Sequence, residues 1–337
     1  MTVRKMTTAQ PSGGPAAWLN ADYAGREDWI LHCSDQELAE LERAAESLRA
    51  KGIKLDDAEK RDFDLPLFAS RLATARRELA QGRGFVMLRG IPVSRYSEEE
   101  LQTLYWGIGT HLGIGVTQSL KGDRLGHVMD IGGNADRYYT RGGELEFHMD
   151  PVDVVGLLCV RAAKSGGESR IVSSMSIYNT IAAERPDLLP SLTTGYHYSR
   201  RQHDPSGLQP FTAHRVPAFT EGGMGKECYF LPAAFRRAAI DGAPFDDLDH
   251  EAVAFVAEIA ARPDHYLDMR FREGDIQFLN NRTILHARTD YVEHDDPARK
   301  RLLYRLWLMM PDWPPRPHAM RPHGDTDRSG GGFAMQS

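Results

Sequence analysis

The sequence predicts an α+β protein built on an antiparallel β-sandwich or barrel. Two observations indicate this class: amphipathic helices dominate the first third, and apolar or β-branched runs divided by Gly, Pro and Ser fill most of the rest. The predicted strands come from distant parts of the chain, and helices are inserted between them. This arrangement is typical of an antiparallel core with flanking helices.

Three helices are predicted in the first third, over about 35–49, 67–81 and 98–112, with a short buried strand, GFVMLRG, before the third. Ser34 can cap the first helix and Glu37 completes a capping box. The apolar stripe of this helix consists of Leu38, Leu41, Ala45 and Leu48.

Strands are predicted next at 152–163, 168–174, 227–232, 265–271, 275–281 and 301–311, and helices at 175–184 and 250–261. With 337 residues, one large domain or two small ones are possible, and we favour one. The expected division is a flexible lead-in (1–33), a single domain (34–313) and a poorly ordered tail rich in Pro, Gly, His and Asp (314–337).

Composition narrows the function classes. The chain has 41 Lys+Arg and 47 Asp+Glu, a net charge of −6, so a nucleic acid partner is not expected. No apolar run is long enough for a bilayer, the N-terminus lacks a signal-peptide apolar stretch, and three cysteines are too few for a disulfide framework. We therefore expect a cytoplasmic protein without membrane contact. The Gly-rich phosphate motifs GxGxxG and GxxxxGK[ST] are absent, which disfavours a nucleotide enzyme.

His148 and Asp150 lie in the segment ELEFHMDPVDVV, at the mouth of a predicted strand. Side chains two apart in extended backbone point to the same face, so an imidazole and a carboxylate converge. With a second histidine they would form a face of an octahedral iron and leave three positions open, enough for a bidentate keto acid and O2. The alternative is a solvated strand end.

His286 lies among apolar residues in NRTILHART, and Arg301 and Arg305 follow it. In an extended RLLYRLWLM segment both arginines share one face and can point inwards, where a guanidinium needs an anion. The distal carboxylate of 2-oxoglutarate is a suitable bidentate partner. The alternative is that the arginines form structural ion pairs with acidic residues such as Asp295 or Asp296.

The order His-x-Asp, Gly-Gly-Glu-Ser, Asn-Arg-x-x-x-His, Arg-x-x-x-Arg resembles the taurine and aryloxyalkanoate dioxygenase (TauD/TfdA-like) family, across roughly residues 84–311. The resemblance implies a double-stranded β-helix, or jelly roll, with flanking N-terminal and inserted helices. It implies Fe(II) bound by the three residues that match the family's ligands, namely His148, Asp150 and His286.

The same resemblance implies roles for three further residues. Ser169 falls where the family has a Thr or Ser hydroxyl that meets a 2-oxoglutarate carboxylate, and Arg301 matches the arginine that binds this cosubstrate. Arg305 matches a second arginine that contacts either the substrate anion or the cosubstrate. The stretch YVEHDDPARK, between His286 and Arg301, is somewhat longer than in the taurine enzyme. Which arginine binds 2-oxoglutarate therefore stays open.

The activity implied is that of an Fe(II)/2-oxoglutarate-dependent dioxygenase, which uses O2 and forms succinate and CO2. It would hydroxylate an unactivated C–H bond of a small anionic or zwitterionic molecule, and Asp150 favours hydroxylation over halogenation. The alternatives are desaturation, epoxidation or cyclisation at the same centre, zinc hydrolysis on the same ligands, or a non-catalytic jelly-roll binding protein. A homo-oligomer through the N-terminal helices is a further expectation.

Two polar, aromatic segments are candidates for substrate contact, residues 132–147 and 195–207. Their candidate side chains are Tyr138, Tyr139, Arg141, Glu144, His197, Tyr198, Arg200, Arg201 and His203.

Overall fold

The computed structural model describes residues 11–119, 122–130, 143–201 and 208–322. The helices in these ranges are α1 (Asn20–Tyr23), α2 (Asp35–Ala50), α3 (Pro66–Gln81), α4 (Glu98–Leu112), α5 (Ser174–Glu184), α6 (Leu189–Thr194), α7 (Pro232–Ile240) and α8 (Asp247–Ala260). The strands are β1 (Ile30–His32), β2 (Phe85–Arg89), β3 (Ile114–Gly115), β4 (Leu125–Val128), β5 (Leu145–His148), β6 (Val154–Arg161), β7 (Ser165–Gly166), β8 (Ser169–Ser173), β9 (Phe219–Gly222), β10 (Gly225–Cys228), β11 (Tyr266–Met269), β12 (Ile276–Asn280), β13 (Ile284–Arg288), β14 (Tyr291–Val292) and β15 (Leu302–Met309).

Two sheets form the centre of the molecule. The larger has seven strands in the order β1-β2-β12-β6-β15-β3, with β4 also paired to β15, and the smaller has the order β11-β8-β13-β5. Their pairs are antiparallel except β1 with β2. The predicted α+β class is thus confirmed.

The N-terminal helices pack on the outer face of the larger sheet. Ser34 caps α2 and forms the predicted capping box with Glu37, and the predicted apolar stripe of α2 is buried. Alternate residues of β15 join this helix-side core, whereas Trp307 packs on the opposite face with residues of both sheets, such as Ile171 and Leu279. The predicted inner face of β15 is therefore confirmed.

The predicted lead-in and tail need correction. Ile30–His32 pairs with β2, and Trp18 is buried at 2% exposure, because these N-terminal residues cover the edge of the larger sheet. In the tail, Met320 is fully buried and Arg316 donates to the Val152 carbonyl. Residues 1–10 and 323–337 lie outside the described ranges.

The predicted strand at 227–232 is also corrected, because β10 ends at Cys228 and Pro232 begins α7. Proline at the first helical position is favoured, since its missing N–H needs no partner there. None of the described helices is long and apolar enough to cross a membrane.

Candidate active site

The sheet register brings the two predicted histidine ligands together. β13 pairs antiparallel with β5, and His286 lies directly opposite His148. The two imidazole rings are 4.3 Å apart between centroids. Asp150, just after the end of β5, completes the group: the three residues offer ligand atoms within 4.8 Å of one another, and all three are buried.

The ligand nitrogens of both histidines face the Asp150 carboxylate. The Nδ1 of His148 donates to the Glu146 carbonyl oxygen at 2.8 Å, so Nε2 is the nitrogen available to a metal. His148 Nε2 is 3.8 Å from Asp150 Oδ1, and His286 Nε2 is 4.0 Å from Asp150 Oδ2. The space between these atoms suits one metal ion.

The electrostatics keep the ligands in their metal-binding forms. Burial and the neighbouring His148 lower the pKa of His286 to about 3, so its imidazole is neutral near pH 7. Burial works to raise the pKa of Asp150, but Arg305 and the two histidines outweigh it, and the pKa lies below its usual value. Asp150 is therefore ionised.

Asp150 is held from β15. Trp307 Nε1 donates to Asp150 Oδ2 at 2.9 Å, and Arg305 Nη1 donates to the same oxygen at 3.4 Å. Gln118 in turn accepts from Arg305 Nε at 2.7 Å and donates to the Arg305 carbonyl at 2.8 Å. These contacts fix the carboxylate, as supporting residues around metal ligands do.

Arg301 differs from Arg305. It is buried at 4% exposure, and its Nη1 has no hydrogen-bond partner among the described residues. Burial, and then the neighbouring Arg288, lower the pKa of Arg301 to about 10, which leaves it cationic at neutral pH. It lines a cavity of about 110 Å³ together with Cys159, Gly167, Glu168, Phe271 and Leu303. A buried cation with an unpaired N–H beside a cavity fits an anionic ligand.

The structural ion pairs considered for the arginines are not formed by Arg301 within the described ranges. Asp295 is fully exposed and faces Lys164, with Nζ and Oδ2 3.7 Å apart. Asp296 accepts from the Ala298 backbone N–H. The contact of Arg301 with an acidic residue is through its backbone N–H, which donates to Glu293 Oε2 at 2.9 Å.

Ser169 is buried and directly follows Glu168, which lines this cavity. Its hydroxyl donates to Gln277 Oε1 at 3.0 Å, and the register of β8 and β13 places Ser169 opposite Arg288. Contact of Ser169 or Arg305 with a cosubstrate stays a prediction. The sequence motifs gave no role within the site to Arg288, Gln118 or Trp307.

A sequence signal existed for two of these three residues. Arg288 follows His286 by two positions and Trp307 follows Arg305 by two, so strand alternation places each pair on one face. Gln118 lies far from both motifs in the sequence and carries no comparable signal.

Several substrate candidates lie outside the described residues, namely Tyr138, Tyr139, Arg141 and His203. Of the others, Arg201 pairs with Asp241 through two contacts of 2.6 and 2.8 Å, and Tyr198 donates to the Tyr229 carbonyl. These two side chains are committed to neighbours within the protein.

Residues 48–307 match the protein family described as "Taurine catabolism dioxygenase TauD, TfdA family". The chain is 29% identical over 306 residues to FR-33289 synthase of Streptomyces rubellomurinus, covering 89% of this chain and 90% of that protein. It is also 29% identical to the taurine hydroxylase-like protein SAT17 of Stachybotrys chartarum, covering 87% and 78%.

Solved structures share the fold. An asparagine oxygenase in complex with Fe(II), 3-hydroxyasparagine and succinate matches with a TM-score of 0.65 at 17% identity, over 83% of this chain and 93% of that one. The non-haem iron oxygenase OrfP, in complex with Fe and α-ketoglutaric acid, matches with a TM-score of 0.61 at 16% identity, over 83% and 93%.

Proposed function

We propose a role for each residue of this site. The premise is that the chain belongs to the taurine catabolism dioxygenase TauD/TfdA family. The protein is accordingly a non-haem oxygenase that requires Fe(II), 2-oxoglutarate and O2. His148, Asp150 and His286 hold the iron, and Arg301 holds the distal carboxylate of 2-oxoglutarate. One observation carries this proposal. The ligand atoms of two histidines and an aspartate converge inside a core that also contains an arginine without a carboxylate partner among the described residues.

We infer that the two sheets form a double-stranded β-helix. Its support is the order of the strands along the chain. β5, β8, β11 and β13 belong to the smaller sheet, and β6, β12 and β15, which are interleaved with them, belong to the larger. Such crossing between two antiparallel sheets is typical of a jelly roll. This arrangement of the two sheets places the ligands from β5 and β13 opposite the arginines of the β15 region.

When bound, Fe(II) supplies the activation of O2, coupled to conversion of 2-oxoglutarate to succinate and CO2. The protein residues orient the iron and 2-oxoglutarate and neutralise their charges. His148 and His286 present unprotonated nitrogens, and Asp150 presents one oxygen while Trp307 and Arg305 hold the other. Arg305 is then chiefly a positioning residue for Asp150, and Arg301 is the cosubstrate arginine. The predicted contact of Ser169 with 2-oxoglutarate adds a hydroxyl to this site, on the residue that lies opposite Arg288.

We further propose that the substrate is a small anionic or zwitterionic molecule, hydroxylated at an unactivated C–H bond. Two fold neighbours support this class: one was solved with 3-hydroxyasparagine and the other with L-Arg, both amino acids. Buried Asp150 is a protein carboxylate in the ligand set, which favours hydroxylation.

The ligand assignment is tested by metal binding under anaerobic conditions. We expect wild-type protein with Fe(II) and 2-oxoglutarate to give a visible metal-to-ligand charge-transfer band. His148→Ala and His286→Ala should retain no iron after equilibrium dialysis and give no band. The matched control is His127→Ala, an exposed histidine on β4. Iron retention by either ligand variant at the level of the control would contradict the assignment.

A further inference from the structure

Tyr291 lies beside two buried arginines. The guanidinium carbons of Arg288 and Arg301 lie 5.0 and 5.3 Å from the centroid of its ring. Both distances are in the range of cation–π interactions, so the ring stabilises two like charges that would otherwise repel. The three side chains, together with Glu293, are called the Arg301 cluster below.

Two glycines allow Tyr291 to come this close. β14 pairs with β7, and Tyr291 lies opposite Gly166. A Cβ at Gly166 would lie 2.2 Å from the Asp290 carbonyl oxygen, and one at Gly167 would lie 3.3 Å from Arg301 Nε and 3.3 Å from Tyr291 Cβ. Both glycines also have positive φ angles of 73°, which side chains rarely adopt. The Gly-Gly of the SGGES motif thus brings Tyr291 against Arg301, which lines the cavity.

The polar atoms of the Arg301 cluster are incompletely satisfied. Tyr291 Oη, Arg301 Nη1 and Glu293 Oε1 are buried, and none of them has a hydrogen-bond partner among the described residues. Buried polar groups without partners are costly, and a bound ligand can supply the missing contacts. Two such donors, one of them on a cation that lies 5.3 Å from the ring of the other, fit a carboxylate.

The pairing of Arg301 gives the same result. Glu293 accepts from its backbone N–H, and Nη1 of its guanidinium has no hydrogen-bond partner among the described residues. The distal carboxylate of 2-oxoglutarate carries one negative charge and two oxygens, so Arg301 and a phenol can bind it together.

We propose that Tyr291 is a specificity residue for the keto-acid cosubstrate, whose hydroxyl donates a hydrogen bond to the distal carboxylate held by Arg301. The inference rests on the proposed function above and deepens it. Tyr291 then helps to select a dicarboxylic keto acid over a keto acid that lacks the second carboxylate.

The experiment is an anaerobic titration of Fe(II)-loaded protein with 2-oxoglutarate and with 2-oxobutyrate, followed by the visible charge-transfer band. Tyr291→Phe removes only the hydroxyl and keeps the ring beside the arginines. We expect the Kd for 2-oxoglutarate to rise about tenfold or more, since the lost hydrogen bond goes to a charged group. The Kd for 2-oxobutyrate and the affinity for Fe(II) should stay unchanged. The control is Tyr304→Phe, in the helix-side core.

The outcomes separate this inference from the proposed function. If wild-type protein gives no band with 2-oxoglutarate, the proposed function fails, and the inference falls with it. If wild type gives the band and Tyr291→Phe binds 2-oxoglutarate with the wild-type Kd, the inference alone is overturned. It is also overturned if Tyr291→Phe weakens both keto acids equally and lowers the melting temperature, because the hydroxyl is then structural.

Discussion

Two clusters of buried arginines differ in how their central arginine is paired. The first, the Arg282 cluster, consists of Asp153, Glu227, Arg282 and Arg316, and Arg282 forms ion pairs with both carboxylates. In the second, the Arg301 cluster, the Arg301 guanidinium forms no ion pair with a carboxylate within the described ranges, and its Nη1 has no hydrogen-bond partner there. We interpret the first as an ion network that serves folding and the second as one that serves a ligand.

The contacts of Arg282 are nearly complete. Its Nε and Nη2 donate to Asp153 Oδ1 at 3.0 and 2.7 Å, and its Nη1 donates to the Pro314 carbonyl at 2.8 Å. Asp153 Oδ2 accepts from the Met310 backbone N–H. The cluster therefore joins the segment after Asp150, the turn before β13, the end of β15 and the C-terminal segment. Two of them, the segment after Asp150 and the turn before β13, adjoin the proposed iron ligands.

The largest effect is expected for Arg282→Met. Removing one partner of a buried ion pair leaves charges uncompensated, and the free energy of unfolding should fall by about 3–5 kcal/mol. Urea denaturation of the metal-free protein measures this loss. Arg301→Met, the matched variant in the other cluster, should leave the free energy of unfolding unchanged or raise it. Equal losses in both variants would contradict the distinction between the clusters.

A smaller effect is expected at the carboxylate ligand. Trp307→Phe keeps an aromatic ring but removes the N–H donated to Asp150, and Fe(II) affinity should fall about tenfold. Competition with a colorimetric Fe(II) chelator under anaerobic conditions measures it. Trp106→Phe is the control, because Trp106 also donates its indole N–H, here to the Ala58 carbonyl at 2.9 Å. If both variants bind Fe(II) equally well, Trp307 does not position Asp150.

The smallest effect is expected for Glu293→Gln. The amide can still accept from the Arg301 backbone N–H, but the negative charge beside the proposed carboxylate site is lost. The affinity for 2-oxoglutarate should therefore increase about two- to fivefold, a range typical of one partly screened charge. The Kd from the charge-transfer titration measures this, with Glu251→Gln on α8 as control. A weaker affinity would show that Glu293 supports the site through its charge.

The sequence predicted most of the helices and the inner face of β15 because these features depend on local patterns. Ser34 with Glu37 marks the start of α2, and the alternation along β15 separates its helix-side residues from Trp307. The convergence of the ligands depends on a register between β5 and β13, which no local pattern fixes. It was predicted through the order of the motifs and the family resemblance.

The rest of the site could not be predicted, for physical reasons. Gln118 reaches Arg305, and Tyr291 reaches two arginines, only after strands far apart in sequence have paired. Likewise, the N-terminal residues show little hydrophobic periodicity. Trp18 is nevertheless buried, because these residues cover the edge of the larger sheet. Tertiary contacts decided these positions.

The central claim is that the two arginines of the β15 region have different roles, and anaerobic titrations of Arg301→Met and Arg305→Met test it most directly. We predict that Arg301→Met binds Fe(II) as wild type does but binds 2-oxoglutarate at least about 30-fold more weakly, as expected when one partner of a buried charge pair is removed. Arg305→Met should instead lose about tenfold in Fe(II) affinity. Wild-type affinity for 2-oxoglutarate in Arg301→Met, with loss of that affinity in iron-saturated Arg305→Met, would contradict the account.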